Sequence, residues 1–104
     1  MDATLEELDA ERARLEAEVQ HLVGIVRQLD VAWYEFDHQA RRAGDALIRA
    51  GGRSRQAERQ LDLVAENLKL TETDLARYRA RLQAAHGRLA AIEAEIEALR
   101  GAPQ

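Results

Sequence analysis

The fold is decided at the middle of the chain by residues 47–61, which read LIRAGGRSRQAERQL. The pair Gly51-Gly52 interrupts an otherwise helical pattern, and glycine adopts the left-handed conformation that ends a helix without steric cost. Ser54 follows as a candidate N-cap residue. The stretch therefore predicts a helix that ends near residue 50, a tight turn and a second helix that begins near residue 54.

The helical pattern extends from this turn toward both ends of the chain. Thr4 and Glu7 form a capping box, and Asp2 adds an acidic group at the same helix N-terminus. Gly101 followed by Pro103 is typical of a helix end. Residues 71–74, Thr-Glu-Thr-Asp, are the one other cap-like stretch, and we interpret the helix as continuous through them. The predicted helices cover about 4–50 and 54–100.

Both predicted helices carry mostly apolar residues at heptad positions a and d. These positions recur in steps of seven from Leu5 and Leu8 in the first helix and from Ser54 and Ala57 in the second. The period does not slip in either helix, which favours a left-handed supercoil. The sequence therefore predicts an all-α, antiparallel two-helix coiled-coil hairpin, and we treat 1–104 as a single hairpin domain.

Folding the chain at Gly51-Gly52 sets each a position against a d position of the other helix. Large residues then tend to meet small ones, as Trp33 meets Thr71. The flanking charges also have opposite signs, which helps to select the antiparallel orientation. The expected ion pairs are Asp9 with Arg100, Glu11 with Arg88, Glu18 with Arg81 and Asp30 with Arg79.

Arg12 is the one charged residue at an inward-facing a position, where it lies opposite Ile92. A lone polar group at such a position commonly fixes the register or the oligomeric state at a cost in stability. A long side chain near the open end of a hairpin can also extend to solvent instead. Both interpretations stay open from the sequence alone.

The composition excludes several classes of protein. The chain has 20 Ala, 14 Leu, 14 Arg, 12 Glu and one Lys, together 61 of its 104 residues, which is typical of long helices and coiled coils. The absence of cysteine excludes disulfides, thiol catalysis and thiolate metal ligands. The longest apolar runs have three or four residues, so we expect no membrane-spanning helix and a cytoplasmic protein.

Seven apolar residues lie outside the a and d positions, and they concentrate toward the turn. Such a cluster favours a second interface over scattered surface residues. We expect a homodimer that forms a four-helix bundle, or a higher oligomer, together with an unidentified protein partner. The seven are Val23, Ile25, Val31, Tyr34 and Ile48 in the first helix, and Leu63 and Leu70 in the second.

Six arginines gather around the turn, whereas acidic residues dominate 1–30. Guanidinium groups make bidentate hydrogen bonds to phosphates and carboxylates, so this basic tip is an alternative site for nucleic acid or another anion. Nucleic acid is not favoured, because no aromatic residue lies between Phe36 and Tyr78 to stack on bases. The basic tip consists of Arg41, Arg42, Arg49, Arg53, Arg55 and Arg59.

Glu35 and His38 form a Glu-x-x-His motif, the i, i+3 pair used by di-iron carboxylate bundles. Glu66 lies across the predicted hairpin, so these three residues are candidate ligands of a ferritin-like metal-binding assembly. Encapsulated ferritins are similar in outline, but their motif lies on the second helix, where this chain has none. Because the heptad directs all three side chains outward, we assign no metal and no cofactor.

Taken as a whole, the sequence favours a non-enzymatic structural or adaptor coiled coil that binds itself and another protein. It predicts no catalytic residue, no bound cofactor and no membrane contact. The basic tip and the Glu-x-x-His motif supply the two alternative functions, an anion-binding hairpin and a metal-binding assembly.

Overall fold

The computed structural model describes residues 3–101 and contains two long α-helices. Helix α1 spans Leu5–Arg49 and helix α2 spans Arg55–Gly101. The helices pack against each other as a hairpin, which confirms the predicted all-α fold. Each helix end lies within one residue of its predicted position. The predicted contributions of Asp2 and Pro103 to the helix ends lie outside the described residues.

The turn ends α1 through two backbone hydrogen bonds. The Gly51 N–H donates to the Ile48 carbonyl and the Gly52 N–H to the Leu47 carbonyl, each at 2.9 Å. This pair of bonds defines a Schellman motif. Gly51 and Gly52 have φ angles of 64° and 75°, so both adopt the left-handed conformation. Gly51 is therefore confirmed as the left-handed residue that ends α1.

Both helices begin at the predicted N-cap residues. The Thr4 hydroxyl accepts a hydrogen bond from the Glu7 N–H at 3.1 Å, and the Ser54 hydroxyl accepts one from the Ala57 N–H, also at 3.1 Å. Each bond satisfies a backbone donor that the first turn of a helix leaves without an intrahelical partner.

Helix α2 continues without a break through residues 71–74, as predicted. The Thr71 hydroxyl donates to the Asn67 carbonyl at 2.8 Å, and the Thr73 hydroxyl donates to the Lys69 carbonyl at 3.0 Å. These bonds run back along the helix, which is how threonine satisfies its hydroxyl inside a helix. Thr71 is therefore buried without an unpaired polar group.

A pair of glycine substitutions tests this account of the turn. Gly51→Ala is expected to lower the free energy of unfolding by about 1 kcal/mol, because an L side chain is strained in the left-handed conformation. Gly87→Ala, inside α2, is expected to raise it by about 0.5–1 kcal/mol through its higher helix propensity. At both positions a Cβ would meet nothing within 4 Å. Urea unfolding at one protein concentration compares the variants, and a loss of stability in both would contradict the account.

The contacts between the helices form two compact units. The terminal unit comprises Met1–Ile25 and Tyr78–Gln104, and the turn unit comprises Val26–Arg77. In the terminal unit the buried core consists of a and d residues from both helices, with Leu89 packed against it. The members of this core cluster are Leu8, Leu15, Ile92 and Ile96.

Ion pairs in the terminal unit support the antiparallel register. Arg88 Nη2 lies 2.9 Å from Glu11 Oε1, and Arg100 Nη2 lies 3.7 Å from Asp9 Oδ1. Both pairs were predicted from the heptads, and they lie on opposite flanks of the seam. Of the third predicted pair, Glu18 and Arg81 line one groove, while the Arg81 guanidinium lies 5.3 Å from the centre of the Tyr78 ring.

The structure decides between the two interpretations of Arg12. Its guanidinium lies 3.2 Å from Asp9 and 3.9 Å from Glu16, and one third of its side chain stays exposed. The charged group therefore extends from the seam to carboxylates on its own helix. This is the behaviour of a long side chain that buries its stem and keeps its charge in water.

The buried seam residues of the turn unit lie in both helices. Val64 is 1% exposed, and Leu75 and Thr71 are also buried. Toward the turn the buried seam residues are alanines, Ala43 and Ala57. The larger apolar residues outside the seam occupy positions that face away from the other helix and stay exposed.

Trp33 occupies its predicted seam position but is only half-buried. Its indole Nε1 donates a hydrogen bond to Glu72 Oε1 on α2 at 3.0 Å, and its ring meets Tyr34 edge-on, with centroids 5.3 Å apart and an interplanar angle of 85°. The polar edge of the ring therefore lies at the flank of the seam, beside Glu72. Trp33 thus anchors the register through both packing and a hydrogen bond.

Candidate interaction surface

Five large apolar residues of the turn unit are exposed on its surface. Their exposed fractions range from 56% for Leu63 to 77% for Ile48. All five were predicted to lie outside the seam, and the structure places them there: Val31, Tyr34, Ile48, Leu63 and Leu70. The remaining two predicted residues, Val23 and Ile25, are half-buried and belong to the terminal unit.

The exposed residues divide between the two faces of the turn unit. In an antiparallel pair, the e and b positions of both helices share one face and the g and c positions share the other. Tyr34 and Ile48 occupy b positions, Leu63 and Leu70 occupy c positions, and Val31 at f lies on the outer surface of α1. We name the two faces the Trp33 face and the Leu63 face. The five exposed residues therefore do not all lie on one face of the turn unit.

Direct contacts define the two faces. On the Trp33 face, the hydrogen bond from Trp33 to Glu72 connects the helices across the e flank. On the Leu63 face, Ala46 of α1 and Gln56 and Gln60 of α2 line one open groove. Gln39 lines the adjoining groove with Ala46 and Gln60.

The two faces differ in charge next to the seam. The flanking row of the Trp33 face carries four acids at its six positions, and the corresponding row of the Leu63 face carries one. The first row consists of Asp30, Asp37, Gly44, Glu58, Ala65 and Glu72, and the second of Ala32, Gln39, Ala46, Gln60, Asn67 and Asp74. Burying the Leu63 face therefore removes fewer charges from water, which is the costly step in forming an interface.

The six arginines of the basic tip are all exposed, but they do not share one surface. Arg41 and Arg55 lie on the Trp33 face, whereas Arg42 and Arg49 line a groove of the Leu63 face. Arg41 also forms an ion pair with Asp37 at 3.0 Å. Arg49 Nε donates to the Asp45 carbonyl of its own helix at 3.4 Å. The cluster that the sequence predicts is thus a distribution of positive charge around the turn.

The three metal-ligand candidates of the sequence, Glu35, His38 and Glu66, are all exposed. Over residues 3–101, no three or more His, Cys, Asp or Glu side chains come together in a group that could hold a metal ion. The helix keeps Glu35 and His38 one turn apart on the outside of α1, while Glu66 lies on the outside of α2.

Comparison with known proteins finds no family model, no curated protein and no solved structure that matches the chain. Within the described residues, no helix has an apolar stretch long enough to cross a membrane. The function is therefore argued from the surfaces of the hairpin alone.

Proposed function

We propose that the protein is a non-enzymatic structural or adaptor coiled coil that self-associates through its turn unit and binds another protein. The observation that carries this proposal is the set of five large apolar side chains in the turn unit that are each more than half exposed. Burial of these side chains in an interface would stabilise a complex by about 25 cal/mol per Å² of apolar surface. Groups of large exposed apolar side chains mark interaction sites in soluble proteins.

The division of the apolar residues between two faces supports an adaptor in particular. Leu63 and Leu70 lie on one face, and Tyr34 and Ile48 lie on the other. A turn unit with two apolar faces can contact a second copy and a different protein at the same time. Aliphatic and aromatic side chains supply binding energy in such contacts without taking part in covalent chemistry.

Anion binding by the basic tip stays a prediction with less support. Phosphate binding is stronger where several guanidinium groups converge on one site, and here Arg41 and Arg55 lie on a different face from Arg42 and Arg49. Binding to a duplex DNA that falls steeply with added salt would support this alternative.

Sedimentation equilibrium of the full chain tests the proposal. At micromolar concentration we expect a species of at least two chains, in reversible exchange with the 11.7 kDa monomer. Interfaces that depend on apolar burial and include few charges keep their affinity in high salt, so the same result is expected in 0.5 M NaCl. A monomer throughout the micromolar range would contradict self-association.

A further inference from the structure

The Leu63 face is complementary to a second copy of itself in one particular orientation. Resting on the self-association proposed above, we propose that two turn units pair through their Leu63 faces about a two-fold axis perpendicular to the helices. In this arrangement the two turns lie at opposite ends of the paired turn units. Charge complementarity and the register of the hairpin both favour this pairing.

Charge complementarity comes from Glu35 and Arg42, two c positions of α1 one heptad apart. A two-fold axis perpendicular to α1 reverses the direction of the second copy. An axis placed midway between these residues therefore sets Glu35 against the partner's Arg42 and Arg42 against the partner's Glu35. The interface then contains two symmetry-related contacts between opposite charges.

Helix α2 supplies apolar contacts about the same axis. Leu63 and Leu70 are also c positions one heptad apart, so the axis sets each leucine against the other leucine of the second copy. The midpoint of this leucine pair lies between residues 66 and 67 of α2. Its distance from Glu72 along α2 equals the distance along α1 from Trp33 to the midpoint of Glu35 and Arg42. Because Trp33 and Glu72 are hydrogen-bonded, both midpoints lie at one level of the turn unit.

The flanking row fits the same axis without repulsion. Ala32 meets the partner's Ala46, and Gln39 and Asn67 each lie close to their own symmetry mates. Amide side chains pair well with each other because each has a donor and an acceptor. Polar, uncharged residues at such inner positions also fix the register of a helical bundle.

Two other arrangements of two copies are less favourable. An axis parallel to the helices would place the arginine-rich ends side by side and set Glu35 and Arg42 against the leucines. Pairing through the Trp33 faces about a perpendicular axis would set Asp37 against its own symmetry mate and Glu58 against the partner's Glu72. Charges buried against leucines disfavour the first arrangement, and like charges in direct contact disfavour the second.

A charge swap tests the proposed pairing by sedimentation equilibrium of the full chain. Each single variant, Glu35→Arg or Arg42→Glu, creates two contacts between like charges. Each is therefore expected to raise the dissociation constant of the dimer about tenfold at low salt. The double variant Glu35→Arg/Arg42→Glu restores both contacts with exchanged signs. Its dissociation constant is expected to lie within about threefold of the wild-type value.

Asp62 and Lys69 supply a matched control, because they are a pair of opposite charges with the same one-heptad spacing on the Trp33 face. Asp62→Lys is expected to leave the dissociation constant unchanged. A wild-type chain that is monomeric would contradict the proposed function itself. A wild-type dimer that is insensitive to the single Glu35 and Arg42 variants, or that the double variant does not restore, would overturn the pairing while leaving self-association intact.

Discussion

The double variant Leu63→Glu/Leu70→Glu is expected to be a monomer with the helix content of the wild type. Both leucines are more than half exposed in the hairpin, so the substitution removes little from the seam, and Glu is nearly as good a helix former as Leu. In the pair of copies it removes four leucines and sets glutamates against glutamates. The loss of apolar burial alone is expected to raise the dissociation constant of the dimer by about a hundredfold or more.

Sedimentation equilibrium and far-ultraviolet circular dichroism measure these two effects separately. The control is Tyr34→Glu/Ile48→Glu, which places the same number of new charges on the Trp33 face. This control is expected to keep the self-association of the wild type. If the control dissociates the protein and the leucine variant does not, self-association depends on the Trp33 face and the assignment to the Leu63 face is wrong.

The substitution Val64→Asp, next to Leu63 in the sequence, is expected to destabilise the hairpin strongly. Val64 is 1% exposed, whereas its neighbour Leu63 is 56% exposed. A carboxylate at position 64 would be buried against apolar side chains without a partner, which costs several kcal/mol. Small domains have a total stability of about 5–15 kcal/mol, so a large part of the fold stability is lost.

Thermal unfolding monitored by circular dichroism compares Val64→Asp with Ala65→Asp, an exposed neighbour outside the proposed interface, at equal concentration. The midpoint is expected to fall by about 20 °C or more for Val64→Asp and by much less for Ala65→Asp. Because the two positions are adjacent, they share the same local helix propensity and differ in the direction of the side chain. Equal losses would contradict the assignment of the seam.

Local signals allow much of this fold to be predicted from the sequence. The glycine turn, the caps at Thr4 and Ser54 and the unbroken heptads depend on neighbouring residues only, and the structure confirms all of them. The ion pair between Glu11 and Arg88 follows as soon as the register is set. Each of these features is determined by backbone geometry and by a period of seven.

Features that depend on how far a side chain extends are not predicted in this way. The heptad places Trp33 in the seam, but it does not show that the indole extends to the flank and donates a hydrogen bond to Glu72. It also leaves open whether Arg12 stays inside or extends to Asp9 and Glu16. Both outcomes depend on side-chain length and on the carboxylates within its range.

The division of the candidate surface into two faces does not follow from apolar character. The apolar residues outside the seam share that character, although Tyr34 and Leu63 occupy b and c positions that lie on opposite faces. The most informative signal was an absence of charge, in the row that includes Gln39, Gln60 and Asn67. A search for apolar residues alone passes over such a row.

Oxidative cross-linking of the single variant Gln39→Cys is the most direct test of self-association through the Leu63 face. The wild type has no cysteine, and Gln39 lies beside the proposed two-fold axis, so rapid formation of a covalent dimer at low micromolar concentration is expected. Ala65→Cys, an exposed position at a similar level on the Trp33 face, is expected to form no covalent dimer in the same time. Rapid cross-linking through Ala65→Cys with none through Gln39→Cys would contradict the account.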